Sequence, residues 1–204
     1  MKTVETTHLI EPHGGKLIDR TVPRPEGVDR LEHIPLTSRE LSDLDMLASG
    51  ALSPLEGFMN QHDYERVVEE MRLARGLPWA LPVCLAVDRA PDGDQVVLTD
   101  EAGTPLAVLE VDEAYEYDKE REAERCFRTI EDDHPGVARL YAQKPLYLAG
   151  RVTVFERAEP SFPELALDPA DTRATFSERG WKRVVGFQTR NPIHRAHEYL
   201  TKGA

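Results

Sequence analysis

Between Leu81 and Val111 the chain changes its punctuation, and this stretch constrains the fold more than any other. Short apolar runs, Val83 to Val87, Val96 to Leu98 and Leu106 to Val111, alternate with turn-forming segments, Pro91-Asp92-Gly93-Asp94 and Glu101-Ala102-Gly103-Thr104-Pro105. Pro presets φ for a turn and Gly and Asp tolerate turn backbone, so each segment reverses the chain. Runs of strand length joined this tightly predict an antiparallel meander or a small barrel. Leu146 to Phe155 predicts a longer strand that closes it.

Helical signals lie on either side. Thr37-x-x-Glu40 forms a capping box, followed by Leu41, Leu44 and Leu47 at helical spacing and by Gly50 as a stop. A second helix is predicted from Tyr64 to Arg75, with Tyr64, Val67, Val68 and Met71 inward and Gly76 ending it. Ser53 to Met59 reads as a loop whose Leu55, Phe58 and Met59 pack back on the core. Asp118 to Phe127 predicts a charged helix with Ala123, Cys126 and Phe127 buried and its charges solvated. His134-Pro135-Gly136-Val137 reads as a turn. The opening, His8 to Leu17, is an apolar patch with a Gly14-Gly15 turn leading into a strand over Leu17 to Val22. It is no phosphate loop, since no Gly-Lys-Ser/Thr follows at the required spacing.

The Pro-rich stretch from Glu159 to Pro163, with Pro169, predicts a domain boundary, dividing the chain into residues 1–168 and 169–204. After it, Asp171 or Thr172 caps a short helix to Arg179, stopped by Gly180. Charge changes sign across this boundary. The 204 residues carry a net charge of −12, yet residues 171–204 hold seven Lys/Arg against three acids. An acidic body argues against nucleic-acid binding, which draws its affinity from Lys and Arg neutralising phosphates. No apolar run approaches the roughly 18 residues of a membrane-span candidate, and no secretory signal opens the chain. Cys84 and Cys126 make no metal spacing, and reduced thiols fit a cytoplasmic location.

The basic end contains the most informative corner. Val184 to Phe187 predicts a short buried strand, and Asn191-Pro192 a turn from which a helix starts near Pro192. His194 and His197, three apart, then share one face of the first turn. There the unpaired N–H groups and the helix dipole favour an anion. With the forked donors of Arg190, the corner is suited to a tetrahedral or polyphosphate anion. Zinc is not expected, because the Glu of a His-Glu-x-x-His helix is missing.

Gln188-Thr189-Arg190-Asn191-Pro192-x-His194-Arg195-Ala196-His197-Glu198 resembles the first active-site motif of ATP sulfurylases (sulfate adenylyltransferases). The opening near His8, the Ser53 to Met59 segment and the His134-Pro-Gly-Val tetrad are similar as well, so the resemblance spans nearly all of residues 8–204. It implies an α+β chain: a β-rich, PUA-like barrel domain followed by the truncated start of an α/β Rossmann-like nucleotidyltransferase domain. It implies the reaction of ATP with sulfate to give adenosine 5′-phosphosulfate and pyrophosphate, or the reverse, with Mg²⁺ accompanying the nucleotide. Gln188 and Arg190 are expected to hold sulfate, and Gln188, Thr189, Arg190, Asn191, His194 and His197 to contact ATP. Thr189, Arg190, Asn191, His194 and His197 form the expected catalytic set. A homo-oligomer is implied for the longer protein. A later Gly-Arg-Asp-His-Ala-Gly type segment of the family is absent from this sequence, so the 204-residue chain is expected to be inactive alone, with residues 181–204 exposed. The alternatives are another adenylyltransferase of the His-x-x-His class, against which Arg195-Ala196 speaks, and a non-catalytic PUA-like binding module.

Overall fold

The computed structural model describes residues 9–160 and 162–204. His8, at the head of the opening patch, and Ser161, in the Pro-rich connector, lie outside the described residues. The chain divides into two compact units: Glu11–Pro169, and Ala170–Ala204 together with Leu9 and Ile10.

The first unit is α+β. Its strands are β1 (Glu32–Pro35), β2 (Gly57–Phe58), β3 (Leu85–Val87), β4 (Gln95–Thr99), β5 (Pro105–Glu116) and β6 (Leu146–Val154). The predicted meander is present: β4, β5 and β6 pair antiparallel in chain order. β1 joins β4 in parallel, while β2 and β3 both pair antiparallel with β6. The path β1-β4-β5-β6-β2 is open, so the expected closed barrel is instead a sheet with two edges. With only two residues, β2 offers too few ladder groups to carry the sheet round to β1.

Alternation along the strands feeds two apolar clusters. Val96, Leu98, Ala107, Leu109 and Val152 face the main core, where α1 (Ser38–Ser49) and α2 (Gln61–Glu70) bury Leu44, Leu47, Tyr64 and Val67. Val97 and Val108, on the other face, pack with Val28, Leu31 and Phe155. This two-sided burial explains why these strands read as continuous apolar runs.

α1 begins and ends where its signals place it. Thr37 Oγ1 accepts from the Glu40 N–H, the Glu40 carboxylate accepts from the Thr37 N–H, and Gly50 takes the left-handed cap at φ 81°. Leu55, Phe58 and Met59 pack inward as expected. β2 approaches β6 so closely that a Cβ on Gly57 would stand 1.9 Å from the Gly150 carbonyl oxygen. Gly57→Ala is therefore expected to cost about 1–3 kcal/mol of stability through forced backbone displacement, read as a lower urea midpoint.

Several expectations are corrected. α2 stops at Glu70, not Arg75, with Met71 as a left-handed cap at φ 53° and 49 % exposed. The chain folds back there because Asp63 Oδ1 accepts from the Ala74 N–H and the Trp79 N–H donates to the Met71 carbonyl, and Leu73 takes the buried place. Leu17 to Val22 forms no strand, only a bridge between Thr21 and Val154. His134 begins a helix, α4 (Pro135–Ala142), where only a turn is expected from the sequence: its Nδ1 accepts from the Gly136 N–H, Pro135 occupies the first turn, and Val137 and Leu140 are buried. The charged stretch after Asp118 is a short α3 (Lys119–Glu122) continuing into a π-helical turn, Ala123–Phe127.

That stretch also departs from its expected solvated face. Glu122 is 7 % exposed, and its Oε2 accepts from the hydroxyls of Tyr64 at 2.9 Å and Tyr147 at 3.0 Å. Tyr117 stacks on Tyr147 with ring centroids 3.6 Å apart. Burial pushes the Glu122 carboxyl above its ordinary pKa, while the two tyrosine hydroxyls and Arg39 pull the other way.

Candidate active site

The second unit carries every residue of the sulfurylase-like motif. Its first helix, α5 (Pro169–Glu178), starts at Pro169, two residues before the expected caps. Gly180, at φ 66°, reverses the chain so that Trp181 stacks on Phe176 and receives Arg179 at 5.0 Å. Arg173 donates to the Ile10 carbonyl at 2.8 Å.

Val184 to Phe187 do not form the predicted strand, and Val184, Val185 and Phe187 are well exposed. A parallel strand is stable when neighbours cover both faces, and the second unit contains no other strand among the described residues. The exposure expected for residues 181–204 is found nearly throughout.

The second helix, α6 (Arg195–Gly203), begins three residues after Pro192. His194 is its N-cap: the backbone is extended and Nδ1 accepts from the Ala196 N–H at 3.3 Å. Asn191, the cap suggested by sequence, is held in a turn instead. Its N–H donates to Thr189 Oγ1 at 3.1 Å, and the Thr189 hydroxyl donates to the Asn191 carbonyl at 3.2 Å.

This cap fixes chemistry as well as geometry. A ring nitrogen that accepts from an N–H carries no proton, so the imidazole proton of capped His194 resides on Nε2, available to a ligand. Ala196 N–H is consumed by the cap and Glu198 N–H by the His194 carbonyl. The Arg195 and His197 N–H groups remain without an acceptor among the described residues. His197, in the first turn of α6, stacks beside His194 with ring centroids 3.9 Å apart and planes 30° apart. The edge of Phe187 closes on it at 5.5 Å, and His197 Nδ1 is buried without a hydrogen-bond partner.

The helix register thus differs from expectation, yet the two imidazoles adjoin as the spacing requires. Gln188 and Arg190 are exposed, and neither side chain bonds to a described residue; Thr189 is half-buried. Lys202 is paired with Glu198, whereas Arg190 and Arg195 have no carboxylate partner among the described residues. The result is a cationic surface with unspent donors: two guanidiniums, one fixed imidazole N–H and two backbone N–H groups. Sequence reasoning missed Phe187 as part of this site. Its signal is an aromatic ending an apolar run immediately before a polar turn.

Residues 10–157 match the family model of PUA-like domains, and residues 163–204 match that of ATP-sulfurylase. A sulfate adenylyltransferase of Symbiobacterium thermophilum is 51% identical over 206 aligned residues, covering 96% of this chain and 52% of that protein. One from Synechococcus elongatus is 50% identical, again over 96% of this chain and 52% of its own length. A protein of Sorangium cellulosum named a probable bifunctional SAT/APS kinase 2 is 48% identical over 96% of this chain and 36% of its own. The chain spans about half the length of the sulfate adenylyltransferases it matches. Among solved structures, one titled a hexameric APS kinase from Thiobacillus denitrificans superposes with a TM-score of 0.71 at 28% identity, covering 96% of this chain and 37% of that one. A PUA-like domain over residues 10–157, an ATP-sulfurylase match from residue 163 and close sulfate adenylyltransferase relatives along nearly its whole length place the chain in the ATP-sulfurylase family.

Proposed function

We propose that the whole protein catalyses adenylyl transfer from ATP to sulfate, giving adenosine 5′-phosphosulfate and pyrophosphate, and that residues 169–204 begin its nucleotide-binding domain. The observation that carries this reading is the Arg190–His194–His197 corner: an unpaired guanidinium preceding two adjoining imidazoles at the N-terminus of α6. Gln188 and Arg190 hold sulfate. Thr189 and Asn191, locked in their mutual turn, set the direction in which Arg190 leaves the chain.

A sulfate oxygen attacks the α-phosphorus, the new O–P bond forms, and the bond to the pyrophosphate oxygen breaks. Sulfate is a weak nucleophile and both reactants are anionic, so alignment and charge compensation provide the acceleration. His194 Nε2–H donates to the phosphate oxygens on which charge grows, with His197 beside it and the N–H groups of Arg195 and His197 adding donors. Mg²⁺ enters with the nucleotide as part of the substrate. A homo-oligomer is the proposed assembly of the longer protein, supported by the hexameric structural neighbour.

The test is luciferase-read ATP formation from adenosine phosphosulfate and pyrophosphate, with the 204-residue chain beside a version extended by the C-terminal half of the Symbiobacterium relative. ATP formation by the extended version supports the reading; none by either would sink it. In that version His197→Ala is expected to lower kcat about 10²-fold with a smaller change in the KM for ATP, as for loss of an interaction made mainly in the transition state. A change in KM alone would instead assign His197 to ground-state binding.

A further inference from the structure

The first unit contains a cavity that the proposed reaction does not use. It encloses about 380 Å³ between the start of α1, the strand end at Cys84 to Ala86, and α4 with the turn after it. That lies in the range of small-molecule sites. A second hollow of about 170 Å³ shares Arg39, Pro82, Glu122, Arg139 and Gln143 with it.

Its lining is chemically divided. At the mouth stand Arg39 on α1, Arg139 on α4 and Lys144 in the turn after α4. Lys144 is 3.6 Å from Asp88 and Arg39 is 3.8 Å from Asp43, both loose pairs, and Arg139 pairs with no described carboxylate. The N–H groups of Ser38 and Arg39 open the first turn of α1 on the same side, since the Thr37 cap engages only the Glu40 N–H. On the floor lies Glu122. Its Oε2 is occupied by Tyr64 and Tyr147, whereas Oε1 bonds to no described residue. Glu122 lines the cavity, so an oxygen that no described residue engages is free to accept from a ligand donor. Glu40, the other carboxylate of the lining, is spent on its capping box and on the Ala86 N–H.

We propose that this cavity is a binding site for a small hydroxylated organic oxyanion, its anionic group held by Arg39, Arg139 and Lys144 and a hydroxyl donating to Glu122 Oε1. The cations and the free helix N–H groups fit an oxyanion, and the floor fits a hydrogen-bond donor. Both line the same cavity, so a molecule that carries both groups can engage them together. The site is independent of the sulfurylase reading, because it uses no residue of the second unit.

Titration calorimetry of the 204-residue chain tests this with glycerol 3-phosphate, glycerate, inorganic phosphate and glycerol as probes. Glycerol 3-phosphate or glycerate is expected to bind with one-to-one saturation, phosphate at least 10-fold more weakly, and glycerol not at all. Preference between the first two identifies the anion as phosphate or carboxylate. The double variant Arg39→Gln/Arg139→Gln, both exposed positions whose loss leaves the core intact, is expected to weaken binding at least 10-fold, while Arg190→Ala leaves it unchanged. Absence of saturable binding, binding indifferent to the double variant, or binding lost in Arg190→Ala and so owed to the second unit, overturns the proposal.

Discussion

Arg190→Ala, made in the extended protein, is expected to lower kcat/KM for sulfate by about 10²–10³-fold, the effect of removing the charged partner of a bound oxyanion. Arg190 is exposed and makes no ion pair with a described residue, so its loss removes no contact that holds the fold. The effect therefore reports ligand chemistry, and circular dichroism of the variant should match the parent. Arg190→Lys is expected to recover only part of the loss, because an ammonium supplies charge without the planar fork that binds two oxygens at once. The measurement is initial pyrophosphate release against sulfate concentration at saturating ATP. Parent-like kcat/KM in Arg190→Ala would remove this residue from the sulfate site.

Glu122 carries the largest expected effect on stability. Glu122→Leu strands the Tyr64 hydroxyl, which has no other described acceptor, and leaves Tyr147 with Gln143 alone. A buried hydroxyl without a partner costs about 1–3 kcal/mol, with further loss from the changed shape. Glu122→Gln keeps an accepting oxygen and isolates the charge. The folded-state pKa of Glu122 lies above its reference of 4.5, chiefly through burial, so the native state holds the proton more tightly than the unfolded chain. This contribution to stability is fully present below the reference pKa and disappears as pH rises through the raised folded value. Glu122→Gln should therefore gain stability relative to the parent as pH increases from about 4.5 across that window. Urea midpoints at a series of pH values read the difference. Parallel curves for the two proteins would show that Glu122 does not titrate differently on folding.

Much of the chain is legible locally because the responsible interactions are local. The capping box of α1, its Gly50 stop and the β4–β5 pairing are set by neighbours in sequence, and the structure keeps them. The Arg190–His194–His197 group was legible for the same reason: these residues sit within one turn and one helical turn of each other, whichever residue caps the helix. The cap itself was not, since Asn191 and His194 both have acceptors of suitable reach. Thr189 engages Asn191, and the imidazole of His194 takes the helix N–H.

Other features depend on partners distant in the chain. Glu122 stands in a charged run that resembles any solvated helix face, and only Tyr64 and Tyr147, 58 and 25 residues away, make its burial tolerable. Closure of a sheet depends on strand length and on which edges meet, and here β2 is too short to bring them together. Val184 to Phe187 has strand composition but finds no flanking strand among the described residues of its unit to bury it. By itself, then, the sequence determined the turn between β4 and β5, the capping box and stop of α1, and the adjacency of His194 and His197, all governed by interactions over a few residues. Tertiary structure alone decided the open sheet, the buried carboxylate and the cavity above it, because each requires desolvation by segments that the chain order keeps far apart.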